Sequence, residues 1–169
     1  MPDENSKETP QMQHSIKTGM SFGLTSGVIT TLGLMTGLNA GTKSELAVIG
    51  GIMVIAIADA LSDSVGIHIS EESENVHSER QIWAATISTF FSKLITALTF
   101  LVPVLLFPLE TAIMVSVVWG LCLVSLLSFW ISRLSGVATW KVIVEHLVIT
   151  VAVVVIAQLV GLWVAAVFA

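Results

Sequence analysis

The chain is short of charge and short of cysteine. Charged residues make up 11% of its 169 positions, with seven Lys and Arg against twelve Asp and Glu and a formal net charge of −5. A soluble domain carries about 25% charged residues, so this chain lacks the polar surface that a water-facing enzyme needs. Seven basic residues spread along the sequence make no patch for phosphates, which removes nucleic acid as a partner. The one cysteine, Cys122, excludes a disulfide framework and a multi-cysteine metal knuckle. What the chain has instead is apolar: 54% hydrophobic residues and a mean hydropathy of +0.91. Its expected solvent is a bilayer.

A helical span takes roughly 20 mostly apolar residues. Five stretches qualify, at residues 17–38, 45–69, 82–107, 111–131 and 142–168. Asn39-Ala40-Gly41 reads as the turn that closes the first. Pro103 sits in the last turn of the third, Pro108 closes it, and Ser132-Arg133 ends the fourth. Residues 1–15 read as a polar, solvated tail and not a cleaved leader. Residues 70–81 form an acidic connection. The expected fold is an all-α integral membrane domain over 16–169, since a spanning helix satisfies its own backbone hydrogen bonds.

If the helices alternate, Lys7, Lys17, Arg80, Arg133 and Lys141 share one side and Lys43 is alone on the other, with Lys93 unassigned. Lys and Arg accumulate on the cytoplasmic side. The N-terminus is therefore expected in the cytoplasm and the C-terminus outside, in a multi-pass protein of the cell membrane. Trp83, Trp130, Trp140 and Trp163 fall near helix ends, where aromatic belts sit. An odd number of spans excludes a simple tandem inverted repeat. A pathway forms more readily between two copies, so a homodimer is expected.

The first span is lined with small residues. Gly19, Gly23 and Gly27 recur every four positions, and Ser26, Thr30, Gly33 and Gly37 follow one face. Such spacing lets helices approach closely in lipid, either between two copies or within one subunit. In the second span Asp59 and Asp63 share a face, which continues through Gly66, Ser70, Glu74 and His77. An unbroken helix would carry that face over about 27 Å. A carboxylate at bilayer depth costs roughly 2.5–3.5 kcal/mol, and intramembrane acids commonly line a cation or proton path. The alternative is that an aspartate pairs with Lys93 or caps a broken helix.

Beyond the second span come Glu71, Glu72, Glu74, His77 and Glu79, with His68, Glu72 and Glu79 on a second helical face. Carboxylates with imidazole suit Mn²⁺, Fe²⁺ and Zn²⁺. An acidic mouth concentrates cations; the plainer alternative is a solvated helix extension. Glu145 and His146 are candidate interfacial anchors or proton handlers, Gln158 a candidate interhelical hydrogen bond, and Glu110 a residue of the short outer turn.

Several stretches together resemble the vacuolar iron transporter family. They are Gly23-Leu24-Thr25-Ser26-Gly27, Gly33-Leu34 and Gly37-Leu38 in the first span, and Ala60-Leu61-Ser62-Asp63-Ser64-Val65-Gly66-Ile67-His68-Ile69-Ser70 in the second. Arg133-Leu134-Ser135-Gly136 and the late Gly161 complete the pattern, which covers about residues 17–165. The resemblance implies a five-helix homodimer that exports Fe²⁺ and Mn²⁺ from the cytosol in exchange for protons. It also defines departures. Ser26 stands where the family usually has Asp, Asp63 where it has Met, Ile67 where it has Glu, and Asp59 at a usually small position. The long cytoplasmic metal-binding segment of many relatives shrinks to about Glu71–Gln81. One carboxylate has left the first helix and two stand on the second, so a two-fold dimer still holds four aspartates. Replacing a thioether by carboxylate hardens the site toward Mn²⁺, Fe²⁺ or Mg²⁺.

The leading expectation is thus a divalent-metal transporter with no prosthetic group, its metal ion being cargo. Asp59 and Asp63 would bind the ion with help from Ser26 and Thr30, while Glu71, Glu72, Glu74, His77, Glu79 and His68 would gather it. Two alternatives stand beside it: an intramembrane enzyme using the Asp pair, and a non-transporting metal sensor or scaffold. Against the enzyme, the chain has no His-Glu-x-x-His zinc motif.

Overall fold

A computed structural model of the chain describes residues 4–135 and 138–168. It is all-helical: α1 (Glu4–Thr42), α2 (Glu45–Ser73), α3 (Glu79–Thr99), the short α4 (Leu101–Leu106), α5 (Leu109–Ser135) and α6 (Thr139–Phe168). Five stretches are long and apolar enough to cross a membrane: α1 from Pro10, α2, α3 with α4, α5 to Arg133, and α6. Their number and order follow the apolar runs of the sequence. Short connections turn each span back on the one before it, so the N-terminus of α1 and the C-terminus of α6 lie at opposite ends.

Local sequence sets the boundaries. Ser44 caps α2 by accepting a hydrogen bond from the Ala47 amide at 3.3 Å, with Glu45 in the first turn facing the positive end of the helix. At the far end Asn75 adopts a left-handed φ of 53° and stops α2. Gln81 then reaches back to accept from the Ser78 amide at 2.8 Å and starts α3. The third span is interrupted at Phe100, because Pro103 offers no N–H to the carbonyl of Thr99 four residues earlier.

α1 is the central post, packed against α2, α3, α5 and α6. Val28, Leu32 and Met35 of α1 meet Val48 and Ile52 of α2, Phe100 and Val104 around the third-span break, and Ala112 and Val124 of α5. Outward-facing positions are equally apolar, among them Ile57, Leu61 and Val65 on α2 and Val148, Ile156 and Leu159 on α6. Apolar on both faces, these helices present lipid-compatible surface.

Two expectations are corrected and one open alternative is decided. Residues 1–3 lie outside the described residues, but from Glu4 the tail is helical and continuous with the first span. Gln11 accepts a hydrogen bond from Gln81 at 3.0 Å and Ser15 is buried, so the segment touches the bundle from Gln11 on, while Pro10, Gln13 and His14 stay exposed. Asn39-Ala40-Gly41 is helical too, and α1 runs on to Thr42 before Lys43 reverses the chain with a φ of 52°. The glycines of the first span, read as packing either between two copies or within one subunit, pack within the subunit against two different helices. A Cβ on Gly23 would meet Ser92 Oγ at 2.2 Å and the Thr89 carbonyl at 2.5 Å, whereas one on Gly37 would meet the Ala157 carbonyl at 3.1 Å. Gly19, Gly23 and Gly27 seat α3; Gly33, Gly37 and Gly41 seat α6. Gly136 of the fourth connection lies outside the described residues.

Candidate functional site

Asp59 is the central residue of the 29-residue α2. Ser26 stands midway along the Pro10–Thr42 span, and Lys93 near the middle of the Glu79–Leu106 span. Three helices therefore deliver an acid-bearing face, a hydroxyl and an ammonium to the same depth, as far from both helix ends as the chain allows.

Lys93 is among the largest fully buried side chains of the described residues, at 1% exposure. Its Nζ lies 2.5 Å from Asp59 Oδ2 and forms a second ion pair with Asp63 Oδ2. It also donates to Ser26 Oγ at 2.9 Å, and Ser26 Oγ in turn donates to Asp63 Oδ2 at 2.7 Å. Asp63 is thus tied by two hydrogen bonds. Asp59 is tied by charge alone: its Oδ2 is buried and makes no hydrogen bond of good geometry despite the short ion-pair distance. The aspartates keep 27% and 21% of their side-chain surface exposed, whereas the lysine keeps 1%. Asp59 opens onto a shallow groove of about 390 Å³ between α1 and α2, lined by Leu34, Gly51, Val54, Ile55, Ala58 and Ser62.

The sequence reading left open whether one aspartate meets Lys93; both do. Two carboxylates against one ammonium leave one net negative charge in a span where an unpaired charge is expensive. Thr30 is not drawn into the cluster, because its hydroxyl donates to the Ser26 carbonyl of its own helix at 2.9 Å. That bond is still useful, since it anchors the turn that carries Ser26.

The acidic connection is arranged differently. The face that begins at Asp59 does not continue to His77, because α2 ends at Ser73 and the chain reverses at Asn75. The reversal folds His77 back, placing Nε2 3.5 Å from Glu71 Oε2 and 3.4 Å from Glu74 Oε2. Pro10, Gln11 and His14 of the N-terminal extension line a cavity of about 320 Å³ with Val76 and His77. Glu72, Glu74 and Glu79 are exposed. His68 shares a face of α2 with Glu72, four residues on, but not with Glu79, which opens α3. His68 points at α3, where Nδ1 lies 3.0 Å from Thr86 Oγ1 and the ring stacks edge-on against Trp83. Among the described residues no three His, Cys, Asp or Glu side chains converge as a metal site.

The weaker candidates also find places. His146 Nδ1 lies 2.8 Å from Ser128 Oγ and ties α6 to α5. Gln158 makes none of the described interhelical hydrogen bonds. It lines a cavity of about 530 Å³ with Thr36, Asn39 and Met114, near the exposed Lys43–Glu110 pair. The residue that sequence reasoning undervalued is Gly27, where a Cβ would lie 3.3 Å from Lys93 Cγ. This glycine lets the lysine stem run close along α1. Its signal was the coincidence of the four-residue glycine repeat with an adjacent Ser26.

The chain matches no family model, no curated protein and no solved structure.

Proposed function

We propose that the protein is a membrane transporter of divalent transition-metal cations, Fe²⁺ or Mn²⁺ in class, working as a homodimer and exporting the ion from the cytosol in exchange for protons. The observation that carries this reading is the midspan cluster, in which Asp59 and Asp63 outnumber Lys93 and both retain partial exposure, Asp59 toward the α1–α2 groove. A structural ion pair needs one acid per base and no opening. An excess carboxylate at mid-depth is what cation and proton paths contain, and transporter sites gather near the bilayer midplane. Each protomer contributes one net negative charge, so two copies related by a two-fold axis balance one divalent cation. All-oxygen ligation by Asp59, Asp63 and Ser26 suits hard and borderline ions.

The resemblance of the first two spans to vacuolar iron transporters supports the choice of ion class and of the dimer. The exposed Glu72, Glu74 and Glu79 would raise the local cation concentration at one mouth. A carboxylate takes a proton or a metal ion but not both, and alternation between them couples the two flows.

A second reading is favoured by one observation: the Lys93 ammonium is enclosed by Asp59, Asp63 and Ser26 with the side chain 1% exposed, as in a staple of a non-transporting scaffold. Flux separates the two. In proteoliposomes, Mn²⁺ or Fe²⁺ entry with counterflow of protons is expected from the wild type and lost in Asp63→Asn. Equal flux in a folded Asp63→Asn protein rejects the site. Absence of flux for Mn²⁺, Fe²⁺, Co²⁺, Zn²⁺ and Mg²⁺ alike leaves the scaffold.

A further inference from the structure

We infer that Lys93 is a tethered cation that competes for the Asp59–Asp63 site and sets its preference for divalent over monovalent ions; this rests on the transport reading above. The ammonium sits where an ion bound by both aspartates and Ser26 would sit, touching the same three oxygen-bearing side chains. Its place is built in from two sides. Gly27 leaves room for the stem along α1, and the side chain is 1% exposed, so the head group is delivered to the acids from the protein side. The groove lies on the other side, at Asp59.

The two acids hold the ammonium unequally. Asp63 is locked to Lys93 and to Ser26, which is itself bonded to Lys93; Asp59 is joined by charge alone. An ion arriving through the groove therefore meets Asp59 first and competes with the ammonium for that carboxylate, while Lys93 keeps Asp63 and Ser26. A monovalent ion offers Asp59 no more charge than the ammonium already there, and must also shed water. A divalent ion must shed more tightly held water, but it offers twice the charge at the same distance, and Coulomb attraction scales with that charge. Lys93 thus works as a threshold that a single positive charge does not cross.

The test is ion binding by purified Lys93→Met and Lys93→Gln proteins beside the wild type, read by calorimetry and by thermal unfolding in detergent. Removing the tethered charge is expected to tighten Mn²⁺ binding by tenfold or more and to enlarge the Mn²⁺-dependent rise in Tm. It is also expected to make the variants sensitive to Na⁺ and methylammonium, which should compete with Mn²⁺ in both variants and not in the wild type. Variants that fold only when Mn²⁺ is present support the inference equally, since the ion then replaces the lysine. A folded variant with unchanged or weaker Mn²⁺ affinity, beside a wild type that binds and transports Mn²⁺, overturns the inference and leaves the transport reading standing. Failure of both variants to fold with or without Mn²⁺ also overturns it, because an ion then cannot stand in for the ammonium. A wild type that neither binds nor moves any divalent ion rejects the transport reading itself.

Discussion

Two acidic regions lie along α2 and just past its end, and they differ in almost everything except residue type. At mid-helix Asp59 and Asp63 face one buried lysine and a serine, with every partner on another helix. Around the helix end Glu72, Glu74 and Glu79 are exposed, and His77 lies within ion-pair distance of Glu71 and Glu74. Surroundings decide what a carboxylate does. In the first region removing one charge strands another in low dielectric; in the second water screens the loss.

The largest contrast is expected at Lys93. Lys93→Met leaves two midspan carboxylates without their counter-charge and should lower stability by about 3–5 kcal/mol when no divalent ion is supplied. Reversible unfolding in mixed micelles measures it. Asp63→Asn should cost less, about 1.5–3 kcal/mol, because Lys93 retains Asp59 and the amide still accepts from Ser26. Asp59→Asn should cost less again by the same assay, and the order Asp63 above Asp59 is the sharper check. If the two rank the other way, the asymmetry between them is wrong.

Gly23→Val tests the frame that holds the cluster. A side chain there runs into Ser92 and the Thr89 carbonyl, so α1 and α3 must part, at about 1–3 kcal/mol in the same unfolding assay. Flux should fall with it, since Lys93 rides on α3. Replacing Glu72, Glu74 and Glu79 together by Gln should leave stability within about 0.5 kcal/mol. Flux at low ionic strength should drop a few-fold and recover toward wild type as salt screens the mouth. The smallest effect belongs to Lys43→Ala. Its pair with Glu110 is more than half exposed, so the loss should not exceed about 0.5 kcal/mol after solvent screening.

The spans were legible because hydropathy is a one-dimensional property, and twenty apolar residues in a row need no partner to be read. The paired Asp59 and Asp63 were legible for the same reason, since helical spacing puts them on one face. What the sequence hid was which neighbour each face meets. Six residues from Gly27 to Gly33 turn a helix by about 240°, so the glycines serve α3 and then α6, yet the spacing names neither partner. The tail from Glu4 read as solvated because it is polar, and its docking depends on Gln81, seventy residues away in sequence. Asn75 carried a readable stop signal for α2, a left-handed position that Asn tolerates. It went unread because the acidic stripe appeared to continue through it. Lys93 was visible as an intramembrane base, but that it serves both aspartates follows only from the packing of three helices.

The most direct measurement is Mn²⁺ flux by the triple variant Asp59→Asn, Asp63→Asn, Lys93→Met in proteoliposomes, with its fold checked by unfolding. Removing all three charges together strands none of them, and such replacements are often neutral for stability. The account predicts a protein that folds about as well as the wild type and moves no Mn²⁺. Wild-type flux from the folded triple variant would contradict it, by placing the ion path elsewhere in the bundle.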